Sequence, residues 1–85
     1  MKPTDPAKLR REFWAASADT LVDRETAGAA VHLSRDAMEL AAIKGGGPPY
    51  IRIGRRALYR KSDVLAWIDQ NGQRVENTAQ LAGAQ

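Results

Sequence analysis

The sequence predicts one small domain, mainly α-helical, carrying a single short β-hairpin. Three observations predict it. Apolar residues recur at helical spacing behind capping residues at Asp5, Asp23 and Ser34. A Gly46-Gly47-Pro48-Pro49 segment, which neither a helix nor a central strand tolerates, closes off those helices. Beyond it, two short runs flank Gly54 and lead into a last apolar-striped segment.

The first helix is announced by Asp5-Pro6, an N-cap followed by a proline at the first helical position. Ala7 to Ser17 follows, with Leu9, Phe13 and Ala16 on one stripe and Trp14 beside it. This helix either packs on the domain or docks a neighbouring protomer or another protein through Phe13 and Trp14. Asp23 caps a second short helix, Arg24 to Ala30, in which Ala27 and Gly28 suit close helix contact. Val31-His32-Leu33 makes a tight connection to Ser34, the cap of a third helix, Arg35 to Lys44, which Gly45 ends in a left-handed conformation. Ala37, Met38 and Ala41 read as its core face.

Tyr50 to Ile53 then alternates, with Ile51 and Ile53 on one face and Arg52 on the other. Gly54-Arg55-Arg56 turns, and Ala57 to Arg60 returns, with Ala57 and Tyr59 inward and Leu58 and Arg60 outward. Leu58 is either a groove contact or is buried by a tilt of the hairpin. Ser62 is expected to cap a last helix, Asp63 to Gln70, whose buried stripe is Val64, Trp67 and Ile68, and Asn71-Gly72 stops it. The tail from Gln73 is polar and small, with Val75 and Leu81 as its sizeable apolar residues, and reads as disordered.

Composition narrows the function. With no cysteine and one histidine, His32, neither a disulfide framework nor a thiolate or histidine metal centre is expected, and no cofactor or small-molecule ligand is implied. No apolar run is long enough for a membrane span, and the first residues lack a signal-peptide core, so the expectation is a cytoplasmic protein. Nor is an enzyme expected: no carboxylate pair, nucleophile–base pair or phosphate-cradling glycine loop stands out, since the glycines at 45–47 end a helix instead of opening one.

Charge is the sharpest signal. The formal net charge is +3, yet it is not spread evenly. Residues 1–23 hold four bases and four acids, residues 24–45 three and three, and residues 63–85 one and three. Arg52, Arg55, Arg56, Arg60 and Lys61 account for the excess, with no acid among them. A basic hairpin beside near-neutral helices is the electrostatic footprint of a nucleic-acid-binding module. The alternative is a solvated charged edge that discourages strand-to-strand aggregation.

Two short helices joined by a three-residue turn form a helix-turn-helix pattern. Its order with Gly47-Pro48-Pro49-Tyr50, Gly54-Arg55-Arg56 and Tyr59-Arg60-Lys61-Ser62-Asp63-Val64-Leu65-Ala66-Trp67-Ile68 resembles the MerR-like winged helix-turn-helix proteins. Within these it looks like the AlpA and phage excisionase group. Asp23 to Ala27 and Leu33-Ser34-Arg35 carry the rest of the likeness, which covers residues 20–71. On this division residues 1–19 are an N-terminal extension and residues 72–85 a tail. The resemblance implies binding to double-stranded DNA, with the second helix of the pair in the major groove and the hairpin, the wing, in a minor groove. It implies a bacterial, nucleoid-associated factor that bends attachment-site DNA and directs a tyrosine recombinase (an integrase) toward excision of a mobile element. It also implies cooperative self-association on DNA, for which Phe13, Trp14 and Leu81 are the candidate contacts.

In that reading Arg55 and Arg56 enter a minor groove while Arg52, Arg60 and Lys61 follow the phosphate backbone. Ser34, Arg35, Asp36, Glu39 and Lys44 are the candidates on the recognition helix. Arg35 suits a guanine or a phosphate, and Ser34 a phosphate. Asp36 and Glu39 depart from a basic recognition helix: they either accept from cytosine amino groups or, for Asp36, stabilise the helix N-terminus. His32 reads as structural or as a phosphate contact, and Tyr50 as a bridge from loop to core. Two alternatives stay open, a transcriptional regulator on the same fold and an adaptor that grips an acidic protein with the hairpin.

Overall fold

A computed structural model describes residues 5–76. Its elements run α1 (Pro6–Ala15), β1 (Leu21–Asp23), α2 (Arg24–Ala30), α3 (Arg35–Lys44), β2 (Ile51–Ile53), β3 (Arg56–Arg60) and α4 (Lys61–Asn71). The caps work as their chemistry dictates. The side chains of Asp5, Asp23 and Ser34 accept from the backbone N–H groups of Ala7, Thr26 and Ala37 at 3.0, 2.7 and 3.0 Å. Each satisfies a donor that the first helical turn leaves without a partner. At the other end of α3, Gly45 takes φ 85°, and the N–H groups of Gly45 and Gly46 both donate to the Ala41 carbonyl. This is the left-handed stop that a glycine makes at little steric cost.

The α2–α3 connection is tight enough to dictate a residue. Leu33 N–H donates to the Gly28 carbonyl at 2.8 Å, and His32 sits at φ 61°. A Cβ on Gly28 would lie 2.7 Å from the Leu33 carbonyl oxygen and 3.0 Å from Met38 Cγ. Only glycine lets the turn fold back this closely.

The sheet holds three antiparallel strands in the order β1-β3-β2, where a two-stranded hairpin was expected. β1 is too short to show a period and is recruited by β3, with Leu21 opposite Arg60, Val22 opposite Tyr59 and Asp23 opposite Leu58. On the other side Ile51 faces Leu58, Arg52 faces Ala57 and Ile53 faces Arg56. Residues directly opposite share a sheet face. Tyr59, Ala57 and Val22 therefore line the core side together with Arg52. Leu58, Ile51 and Ile53 lie on the outer side, and Leu58 is half-buried among its cross-strand neighbours.

The last helix starts differently from the sequence expectation. α4 begins at Lys61, and Ser62 does not cap it: the N-cap residue, Arg60, makes no side-chain cap bond. The physical reason is local. The N–H groups of Lys61 and Ser62 already donate to the carbonyls of Thr20 and Ala18, both at 2.9 Å, so the segment before β1 supplies what a capping side chain would. Trp67, expected in the buried stripe, is half-buried and donates through Nε1 to the Gly46 carbonyl at 3.1 Å, tying α4 to the glycine-proline loop.

One core joins these elements. Phe13, Tyr59, Met38 and Val64 are its largest fully buried side chains, packed with Ala27 and Ala30 and flanked by Val22, Val31, Ala57, Leu65 and Ile68. Burying each large side chain stabilises the fold by about 1.5–3 kcal/mol. Because Phe13 is completely buried, α1 is part of this core, and Phe13 is not available as a docking contact. Arg10 Nε adds a bond from α1 to the Ala29 carbonyl at 2.9 Å. Among the described residues, no helix is long and apolar enough to cross a membrane.

Candidate nucleic-acid interface

The arginines of the basic stretch do not act as one patch. Arg55 lies in the β2–β3 turn and Arg56 opens β3, so both sit at the hairpin tip. Their side chains line a cleft of about 290 Å³ with Arg35, the first residue of α3, and Arg24, the first residue of α2. Asp23 and Glu25 line it as well. Asp23 is occupied by its cap bond to Thr26. The fold thus joins two parts that the sequence set apart, the start of α3 and the tip of the hairpin, on one electropositive concavity.

The other predicted residues are distributed around it. Arg60 is exposed on the outer sheet face at the far end of β3. Arg52 is exposed on the opposite face, with Nε reaching the Gly54 carbonyl at 3.4 Å. Lys44 ends α3, roughly 14 Å along the helix axis from Arg35, and takes no part in the cleft. Ser34 is exposed, with its hydroxyl already engaged in capping. Asp36 and Glu39 are exposed on α3, in one stripe with Leu40 and Ile43, which are 51% and 76% exposed. The outward side of α3 is therefore acidic and apolar beyond Arg35.

Lys61 is the clear correction. It was expected to follow a phosphate backbone, but it is buried. Its ammonium donates to the carbonyls of Trp14 and Ala16 at 3.0 and 2.7 Å and lies 5.6 Å from the ring centres of both Phe13 and Trp14. It caps the C-terminal end of α1 and closes the core beneath it, a favourable place for a cation. Of the candidate self-association residues, Trp14 is half-exposed, packed edge-on against Phe13 at 5.1 Å. Leu81 lies outside the described residues.

Arg24 was missed by the sequence reading. Its Nε donates to the Tyr59 hydroxyl at 3.0 Å, and its guanidinium carbon stands 5.3 Å from the Tyr50 ring centre and 5.9 Å from that of Tyr59. The hydrogen bond to Tyr59 raises its pKa further above the ordinary arginine value, against a smaller opposing effect of burial. The rings of Tyr50 and Tyr59 themselves meet at 5.5 Å, tilted by 38°. The charge is therefore held in a fixed orientation by two aromatic faces. No local pattern marks this: an arginine opening a short helix looks like any solvated cation, and its partners come from the loop before β2 and from β3.

No protein-family model matches the chain, and no curated protein sequence does either.

Proposed function

We propose that the protein binds double-stranded DNA as a winged helix-turn-helix module, with the start of α3 directed at the major groove and the β2–β3 hairpin as the wing. The observation that carries this reading is the convergence of Arg35, Arg55 and Arg56 on one open cleft. Guanidinium groups at a protruding tip suit phosphates and the negative potential of a narrow minor groove. Beyond Arg35, α3 offers few side chains for reading bases, so shape and deformability of the DNA contribute much of the selectivity. Leu40 and Ile43 add apolar surface that suits thymine methyl groups.

Within this reading the function we favour is that of an excisionase, an architectural factor that bends attachment-site DNA for a tyrosine recombinase and self-associates along it, with Trp14 as the remaining described contact. Regulation of a mobile element's transcription is the alternative that uses the same contacts. The acidic and apolar stripe Asp36, Glu39, Leu40 and Ile43 favours a second reading, in which α3 engages a protein. Electrophoretic mobility shift with a 30-base-pair duplex tests the first. The double variant Arg55→Ala/Arg56→Ala is expected to bind at least tenfold more weakly across sequences, because the charge at the hairpin tip is lost. Undiminished binding by that folded variant would move the interface away from the hairpin.

A further inference from the structure

Arg24 combines three properties that ordinary surface arginines lack. Its guanidinium lies over the rings of Tyr50 and Tyr59, and its Nε donates to the Tyr59 hydroxyl. Nε is used in that bond, whereas the two Nη groups hydrogen-bond to no other described residue. It lines the same cleft as Arg35, Arg55 and Arg56, and none of the four is ion-paired with another described residue. A flexible surface arginine must be ordered when it meets a ligand, at a cost in side-chain entropy. Arg24 is already held by Tyr50 and Tyr59, and among the described residues its remaining donors have no partner.

We propose that this cleft seats one phosphate group of a DNA strand, and that Arg24 is its fixed ligand while Arg35, Arg55 and Arg56 close on it from the α3 and hairpin sides. The proposal rests on the DNA-binding reading and deepens it. A phosphate held there locks the angle between α3 and the hairpin, so that both parts meet the duplex in one register. The four guanidiniums outnumber the two carboxylates that line the cleft with them, Asp23 and Glu25, and Glu39 on α3 also acts electrostatically on Arg24. An anion entering the cleft relieves repulsion among the arginines. The planar guanidinium fork matches tetrahedral phosphate oxygens in two parallel hydrogen bonds.

The test is fluorescence anisotropy of the full chain with a random-sequence 30-base-pair duplex over a salt series, since a phosphate contact is independent of sequence. Arg24→Met keeps a long side chain against the two tyrosines without the charge, and Arg24→Lys keeps the charge without the fork. Circular dichroism establishes that both are folded. Arg24→Met is expected to bind roughly tenfold more weakly, with the log–log salt slope shallower by about 0.9. Arg24→Lys is expected to keep the wild-type slope with an intermediate affinity. A wild-type slope for Arg24→Met would overturn the phosphate seat and leave DNA binding standing. Absence of duplex binding by the wild type would overturn both. Equal, Arg24-dependent competition by polyglutamate would assign the cleft to an acidic protein and overturn the proposal.

Discussion

Replacing Lys61 with methionine separates a structural cation from a DNA-binding one more sharply than any other substitution in this chain. The ammonium makes two hydrogen bonds, 3.0 Å to the Trp14 carbonyl and 2.7 Å to the Ala16 carbonyl, over the rings of Phe13 and Trp14. Charge-assisted hydrogen bonds contribute about 1.5–3 kcal/mol each, and the cation–aromatic contact adds roughly 0.5–1 kcal/mol. Methionine recovers part of the packing on the two rings, which leaves a net loss of about 3 kcal/mol. For a domain of this size that lowers the melting temperature by roughly 12–24 °C. Thermal circular dichroism reads the loss, and anisotropy at a temperature where the variant is folded reads DNA binding. The expected result is a large fall in melting temperature with an unchanged salt slope. A variant that melts like the wild type but loses about 0.9 from the slope would refute the burial argument and return Lys61 to the interface.

Three further substitutions probe the scaffold. Gly28→Ala brings a methyl against the Leu33 carbonyl oxygen and Met38, and is expected to cost about 1–3 kcal/mol in chemical denaturation. Phe13→Ala empties the centre of the core, with an expected loss of about 3–5 kcal/mol in the same assay. Ser34→Ala removes the α3 cap and is expected to cost about 1 kcal/mol while leaving the DNA salt slope as it is, because the hydroxyl is engaged within the protein.

What the sequence made legible was the local chemistry. Asp5, Asp23, Ser34 and Gly45 each end or start a helix where their side chains or φ preference require it, and Gly54 turns the hairpin at φ 62°. What it hid was long-range. Leu21-Val22-Asp23 is a strand only because β3 offers it an edge. Ser62 is a good capping residue made redundant by the carbonyls of Ala18 and Thr20. Lys61 stands in a run of cations and looked like the others, yet its partners lie 47 and 45 positions earlier. Arg24 shows the converse, a residue with no local distinction whose role is set by two tyrosines from the other half of the domain. The charge count singled out the hairpin, whereas the cleft draws arginines from α2 and α3 as well.

DNA binding itself is read from the salt dependence of wild-type binding to a 30-base-pair duplex, followed by anisotropy from about 50 to 200 mM salt. One phosphate seated among Arg24, Arg35, Arg55 and Arg56 contributes about −0.9 to the slope of log Kobs against log salt, and each further phosphate met by Arg52 or Arg60 adds about as much. Binding that is absent at the lowest salt, or that does not change across the series, would contradict a cleft of arginines built to hold the DNA backbone.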